Sequence, residues 1–402
     1  MLVDADWTQD AQAILPSLVD LRRAIHREPE LGLHNPRTRD KIRAALDGLP
    51  LSFREGPSTS GLIATLQGSD NCRTVLLRGD TDALPMHEDT GLDYASEVEG
   101  AMHACGHDTH VAMLVGAAKL LCARRENLAG TVQFMFQPGE EGHHGARFMI
   151  EDGLLDPLPD AAFALHIMPN APHGQFCGRA GPLLASNDKI EIRVKGRGGH
   201  GSMPHDALDP VPIACEIVGA IQTWVTRQVN VFDPCVVTIG KIEAGTTDNV
   251  IPETASMLGT IRTLSARRRI AVQEGLAQLA KGIASAHGVS AEVNFIGGFP
   301  VTVCDGRAVA FGQRVTEELF GEGAWKTLDA PIMGAEDFSY VLEKVPGAMF
   351  FLGAAHEGAD YRSCCPIHSN RMVLDDSVMA RGAALHAALA QRFLAEGFSE
   401  DA

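Results

Sequence analysis

The stretch TVQFMFQPGEEG, residues 131–142, decides the fold. Residues 131–136 are a short apolar run bounded by turn formers, which reads as a buried strand. Gln137-Pro138-Gly139 ends it, and two adjacent carboxylates follow, Glu140 and Glu141, flanked by glycines. In an α/β protein that position is the C-terminal edge of the sheet, where functional groups gather.

Working outward, further apolar strands are predicted at 61–66, 74–77 and 161–167. A long apolar helix is predicted at 110–121. The opening stretch 9–28 has helical spacing through Ile14, Leu18, Leu21 and Ile25. Strands alternating with helices argue for an α/β sheet. Near Ser186 the pattern changes. Residues 189–194 alternate charged and apolar side chains, as a half-exposed strand does. A helix at 210–229, strands at 235–242 and 254–262, a helix at 266–287 and a strand at 291–295 follow. That order is β-α-β-β-α-β, the ferredoxin-like unit. The α/β pattern then resumes with a helix at 306–319, a strand at 348–352 and a helix from Ser377 onward. The expected division is therefore one α/β domain built from 1–185 and 297–402, interrupted by an inserted domain at 186–296.

The 402 residues are 45% hydrophobic, ample for a sizeable core, and carry a formal charge of −17. That balance disfavours nucleic acid, which needs Lys and Arg gathered on one face, and anionic membrane surfaces. The N-terminus, MLVDADWTQDAQ, lacks a basic start followed by an apolar run, so no secretory signal is visible. No apolar stretch is long enough to span a bilayer. The nine cysteines are scattered and odd in number, and the neighbours Cys364 and Cys365 are read as thiols with the rest. The expected compartment is the cytoplasm.

The richest chemical signal is Met102-His103-Ala104-Cys105-Gly106-His107-Asp108. Residues two apart in an extended segment share a side, so Cys105 and His107 can face one cation. Thiolate and imidazole both suit Zn²⁺, and imidazole also suits Mn²⁺, Co²⁺ or Ni²⁺. His103 has the same parity, so spacing leaves it open. In Glu140-Glu141, neighbours that diverge allow one carboxylate to bind a cation while the other faces the cleft as a general base. His166 ends a strand, His368 sits in a turn before the last helix, and Asp80 and Asp82 follow the 74–77 strand. These acids are ligands or orient ligand imidazoles. A buried thiol, satisfied histidines and solvated acids are the plain alternatives for each residue singly. Their convergence on the strand ends of one sheet favours a site.

Several motifs in order along nearly the whole chain resemble those of the M20 metallopeptidases. The resemblance is to their amidohydrolase branch of hippurate, N-acyl-amino-acid and auxin-conjugate hydrolases. They are Arg78-Gly79-Asp80-Thr81-Asp82-Ala83-Leu84-Pro85, the Met102–Asp108 segment, Gln137-Pro138-Gly139-Glu140-Glu141-Gly142 and Gly196-Arg197-Gly198-Gly199-His200. Asp248-Asn249-Val250-Ile251-Pro252, Gly334-Ala335-Glu336-Asp337-Phe338 and His368-Ser369-Asn370 continue the series.

The resemblance implies a mixed-sheet α/β catalytic domain, 1–185 and 297–402, with an inserted ferredoxin-like α+β lid or dimerisation domain, 186–296. It implies two divalent cations, Mn²⁺ or Zn²⁺ before Co²⁺ or Ni²⁺, held by Cys105, His107, Glu141, His166 and His368. Glu140 takes the role of general base and acid, and Asp82 that of a partner orienting a ligand. His200 matches a histidine that reaches an active site across a dimer interface, Asn249 a polar group near the substrate, and Arg262 a partner for a substrate carboxylate. The implied substrate is a small N-acyl amino acid and the implied assembly a homodimer or higher homo-oligomer. The chain departs from many relatives at His143-His144, which narrow the cleft or offer a spurious metal site, and at Ser369-Asn370. Both bear on specificity. A dipeptidase or carboxypeptidase of the same family is the nearest rival reading. A non-catalytic binding protein is disfavoured because Glu140 and all five matched ligands are present. A structural zinc protein is disfavoured because the ligands are spread from Cys105 to His368, not closely spaced.

Overall fold

A computed structural model of the chain describes residues 6–69 and 72–399. Two compact units emerge. One comprises the chain up to Leu183, Val303–Ala330 and Asp337 onward; the other comprises Leu184–Thr302 with Pro331–Glu336.

The first unit is built on an eight-stranded mixed sheet. Its order is Leu51–Glu55, Leu62–Gln67, Gly130–Gln137, Arg73–Asp80, Ala161–Met168, Gly347–Gly353, Phe176–Gly178, Trp325–Thr327. The four central strands, from Gly130–Gln137 to Gly347–Gly353, run parallel. Antiparallel partners flank them, Leu62–Gln67 on one side and Phe176–Gly178 on the other. Gly130–Gln137 is buried at every position, as a central parallel strand covered on both faces must be. The chain leaves Arg73–Asp80 first for Gly130–Gln137 on one side, then returns to Ala161–Met168 on the other. Such a reversal opens a crevice beyond the carboxyl ends of the strands.

The helices Trp7–Arg27, His107–Ala123 and Val378–Glu396 pack against one another. His107–Ala123 is buried along nearly its whole length, and beyond its polar first turn it is mostly apolar, as suits a helix packed on several sides. Small residues allow the close approach. A Cβ added at Gly116 would lie 2.8 Å from both the Ala383 Cβ and the Leu18 Cδ1. The helix begins at His107, three residues before the sequence pattern suggests, because His107 to Thr109 carry polar side chains that are nonetheless buried. Two elements have no apolar signature and escape sequence reading. The helix Pro36–Ala45 buries only Thr38 and Ile42, and Leu51–Glu55 is a half-exposed edge strand.

The second unit is a four-stranded antiparallel sheet. Its order is Cys235–Ala244, Thr254–Thr263, Asp188–Lys195, Ser290–Ile296, with helices Pro210–Gln228 and Ala266–Ala286. Asp188–Lys195 alternates buried and exposed at every residue. Its inward Ile190, Ile192 and Val194 join Ile213, Ile217, Val272 and Leu276 in one core. Strand order and connectivity are those of the ferredoxin-like unit. Among the described residues no helix is long and apolar enough to cross a membrane.

Candidate metal centre

The carboxyl ends of the parallel strands carry the site. Thr81 donates its N–H to the Gln137 carbonyl at 2.8 Å, holding the turn after Arg73–Asp80 against the turn after Gly130–Gln137. Asp82, fully buried, then acts twice. Its main-chain carbonyl accepts from His107 Nδ1 at 2.8 Å. Its carboxylate accepts the N–H groups of Glu140 and Glu141, each at 3.0 Å. Asp82 thus meets His107 through its main-chain carbonyl, with its carboxylate oxygen 3.5 Å from the same Nδ1, and meets the Glu pair through its side chain. Reciprocal hydrogen bonds between Leu84 and Met102 hold the segment leading into Cys105. Gly106 follows at φ +83°, where an added Cβ would sit 2.5 Å from Ile167 Cγ1, so only glycine fits between Cys105 and His107.

Five distant side chains meet here. Ligand atoms of Cys105, His107 and His166 lie within 4.8 Å of one another, and so do those of Cys105, Glu141 and His368. Cys105 belongs to both groups. Its Sγ is 3.4 Å from His166 Nε2, and His368 Nε2 is 3.2 Å from Glu141 Oε1. His368 adopts a left-handed backbone, φ 65°, uncommon outside glycine, with its N–H held by the Ala104 carbonyl at 2.7 Å. Glu140, buried, groups with His107 and Glu141.

These residues fit a pair of divalent cations. His107 donates through Nδ1 to Asp82, and its buried Nε2 has no hydrogen-bond partner. His166 likewise donates through Nδ1, to the Ile167 carbonyl at 2.7 Å, which leaves its Nε2 toward Cys105. This second-partner pattern presents a ring nitrogen to a metal. The electrostatics agree. Burial disfavours charge on His107, but Asp80 and Cys105 outweigh it and raise its pKa well above the ordinary value. Hydrogen bonds with Cys105 and Glu141 raise His368 to about 10. A pocket that holds extra protons this firmly favours positive charge, which a cation can supply instead. Burial pushes His166 well down, leaving a neutral imidazole. Burial pushes the Cys105 thiol up, against His107 and His368.

Two other polar groups near these strand ends, His110 and Arg78, are satisfied within the protein. Asp80, His107 and His110 form a further grouping, but His110 Nδ1 donates to Asp80 Oδ1 at 2.6 Å and its Nε2 accepts the Ile167 N–H at 2.9 Å. No lone pair of that ring remains. Fully buried Arg78 pairs with Asp80 at 2.5 Å and Asp337 at 3.2 Å, and Asp337 also accepts from Gln137 and the Ala146 N–H. Arg78, Asp80 and Asp337 all lie in motifs that the sequence singles out, but neither their pairing nor the contacts of His110 carry a sequence signal. His103, which spacing left open, joins none of the ligand groupings found among the described residues. It is buried, its ring nitrogens lack partners, and burial lowers its pKa to about 3. His144, at φ 61°, bonds through Nδ1 with the Tyr340 hydroxyl at 2.9 Å, and His143 packs against Gly32. Neither joins a ligand grouping.

In the second unit, His200 lies on Gly199–His200, paired with Val250–Ile251. The Ser202 N–H and hydroxyl donate to its Nδ1 at 3.1 and 2.9 Å, which makes Nε2 the donor nitrogen of the neutral ring. Exposed Asn249 adjoins it, its carbonyl accepting the Gly201 N–H at 2.8 Å. Arg262 stands opposite Val236 in Thr254–Thr263, half-buried, and burial lowers its pKa.

Residues 76–392 match the model of peptidase family M20/M25/M40. The chain is 38% identical over 393 residues to thermostable carboxypeptidase 1 of Saccharolobus solfataricus, covering 96% of this chain and 97% of that one. It is 38% identical over 338 residues to N-acetylcysteine deacetylase of Bacillus subtilis, 84% and 88% covered. It is 36% identical over 389 residues to hippurate hydrolase of Campylobacter jejuni, 95% and 99% covered. A crystal structure of a Bacillus subtilis protein, described as a dinuclear metal-binding peptidase of family M20, superposes with a TM-score of 0.82 at 34% identity. It covers 95% of this chain and 99% of that one. With its ligand groupings at the strand ends and this likeness along almost its entire length, the chain belongs to peptidase family M20/M25/M40.

Proposed function

We propose that this hydrolase of the M20 family is a two-metal amidohydrolase. It cleaves N-acyl amino acids, such as N-acetyl or N-benzoyl conjugates, to a carboxylic acid and a free amino acid. The observation that carries the reading is the sharing of Cys105 by two ligand groups. One buried thiolate flanked by His107 and His166 on one side and Glu141 and His368 on the other suits two adjacent cations, with Mn²⁺ or Zn²⁺ preferred. When bound, such cations supply Lewis acidity toward water and the substrate carbonyl.

The protein's own groups do the rest. Glu140 takes the proton of the attacking water and returns it to the leaving amine. The Asp82 carboxylate keeps the Glu140 and Glu141 backbone fixed while that proton moves. His200 donates to the developing oxyanion across a homodimer, a contribution worth roughly 2.7–4 kcal/mol of barrier. Asn249 and Arg262 hold the substrate, Arg262 through its carboxylate. The likeness to the deacetylase and the hippurate hydrolase supports N-acyl amino acids as substrates. The likeness to the carboxypeptidase favours a second reading, cleavage of a C-terminal peptide bond.

The test is a substrate screen after chelation and re-addition of Mn²⁺, Zn²⁺, Co²⁺ or Ni²⁺. Metal-dependent release of amino acid from N-acetyl and N-benzoyl amino acids, faster than from dipeptides, is expected. Preference for peptides would establish the second reading, and inactivity with every amide and metal would defeat both.

A further inference from the structure

We propose that His110 is a positioning residue of the metal centre, aiming the His166 imidazole through the backbone of Ile167. The inference rests on His166 being a ligand. The geometry is a relay. Arg78, without solvent exposure, donates to Asp80 Oδ2 at 2.5 Å. Asp80 Oδ1 receives His110 Nδ1 at 2.6 Å. His110 Nε2 receives the Ile167 N–H at 2.9 Å. The carbonyl of that same residue receives His166 Nδ1 at 2.7 Å. Both polar groups of one residue's backbone are therefore committed, one to the relay and one to the ligand.

The tautomers follow without choice. A backbone N–H only donates, so His110 Nε2 must carry a lone pair and its proton must sit on Nδ1, facing the Asp80 carboxylate. His166 then carries its proton on Nδ1 and presents Nε2 to Cys105. The rings of His110 and His166 also meet edge to face, with centroids 4.6 Å apart, so His110 limits how far the ligand ring can turn. Asp80 reaches the other imidazole as well: its Oδ2 lies 3.5 Å from His107 Nε2. Every member of the relay is buried, so water cannot replace a lost contact cheaply. Partners behind metal-bound histidines typically change metal affinity by about 10–100-fold when removed.

The experiment is a double-mutant cycle read by metal binding to chelator-stripped protein. It uses Zn²⁺ competition with a chromophoric chelator on the parent, His110→Ala, His166→Ala and the double variant. Thermal melting of the stripped proteins checks that each is folded. His110→Ala is expected to weaken one of two equivalents by about 10–100-fold. His166→Ala is expected to lose that equivalent, and the double variant to match His166→Ala, because His110 acts on that equivalent through His166. His110→Gln, whose side-chain carbonyl can accept the Ile167 N–H, is expected to keep near-parental affinity and serves if the alanine variant fails to fold. Parental affinity in His110→Ala, additive losses in the double variant, or a folded His110→Gln as impaired as His110→Ala would overturn the proposal. Two tightly held equivalents in His166→Ala would instead defeat the ligand assignment beneath it.

Discussion

Asp82→Asn tests how the protein holds its two glutamates. The carboxylate accepts one N–H from Glu140 and one from Glu141, each at 3.0 Å, with no exposure to solvent. Asparagine keeps the shape but turns one acceptor oxygen into an NH₂ group, so one amide faces a donor. Losing a hydrogen bond to a charged group costs about 1.5–3 kcal/mol. The surviving bond becomes neutral and loses roughly half its strength, about 0.5–1 kcal/mol more. The turn should therefore open more easily by about 2–4 kcal/mol, a factor from tens to several hundred at 1.4 kcal/mol per tenfold. Hydrogen exchange in metal-free protein, followed on a peptide spanning 138–145, reads this directly, because local opening sets the exchange of these amides. The His107 tether uses the Asp82 main-chain carbonyl and should survive, so the cation of the Glu141 group should weaken more than that of the His107 group. Parental exchange rates across 138–145 would refute the reasoning.

Glu140→Gln should bind two cations and lose about 10²–10⁴ in kcat, the usual worth of general acid–base catalysis; metal analysis with steady-state kinetics checks it, and parental turnover removes Glu140 as the base. His200→Ala should keep its metals and lose about 10²–10³ in kcat; unchanged kinetics would leave His200 a loop residue. Glu88 supplies a pH test. Burial opposes its ionisation, but hydrogen bonds from His26, Thr90 and the Ser96 N–H outweigh this and hold its pKa at about 2, below the ordinary 4.5. A depressed carboxylate stabilises the fold above its unfolded value and loses that contribution as pH falls toward the folded one. Glu88→Gln should thus be less stable than the parent at pH 6, with the gap narrowing from pH 4.5 down to 2; a gap constant with pH contradicts the assignment.

The sequence was most legible where one physical pattern dominates a segment. Strict alternation in 189–194 and the apolar run at 131–136 announced an exposed-face strand and a buried one, and both stand where the pattern puts them. The motifs also singled out the residues that converge, because a thiol, imidazoles and acids at strand ends are costly to bury without a purpose. Sheet order was less legible, since Arg73–Asp80 pairs with strands that follow it by tens of residues and no local signal states the register. Pro36–Ala45 was missed because two buried side chains make no periodic stripe. The relay through His110 and the strut from Arg78 to Asp337 join residues up to 259 positions apart, and only the folded backbone brings them together. His103 is the converse. Its parity with Cys105 and His107 is real, yet it stands outside the ligand groupings, so alternation fixes a side of the chain but not a destination.

The central claim is that Cys105 is shared by two cations. Crystals of the stripped protein soaked in Zn²⁺ and measured at the zinc edge test it most directly. Two anomalous peaks roughly 3.5–4 Å apart are expected, one within bonding distance of His107 and His166, the other of Glu141 and His368, with the Cys105 sulfur between them. A single peak, or two peaks away from Cys105, would contradict it.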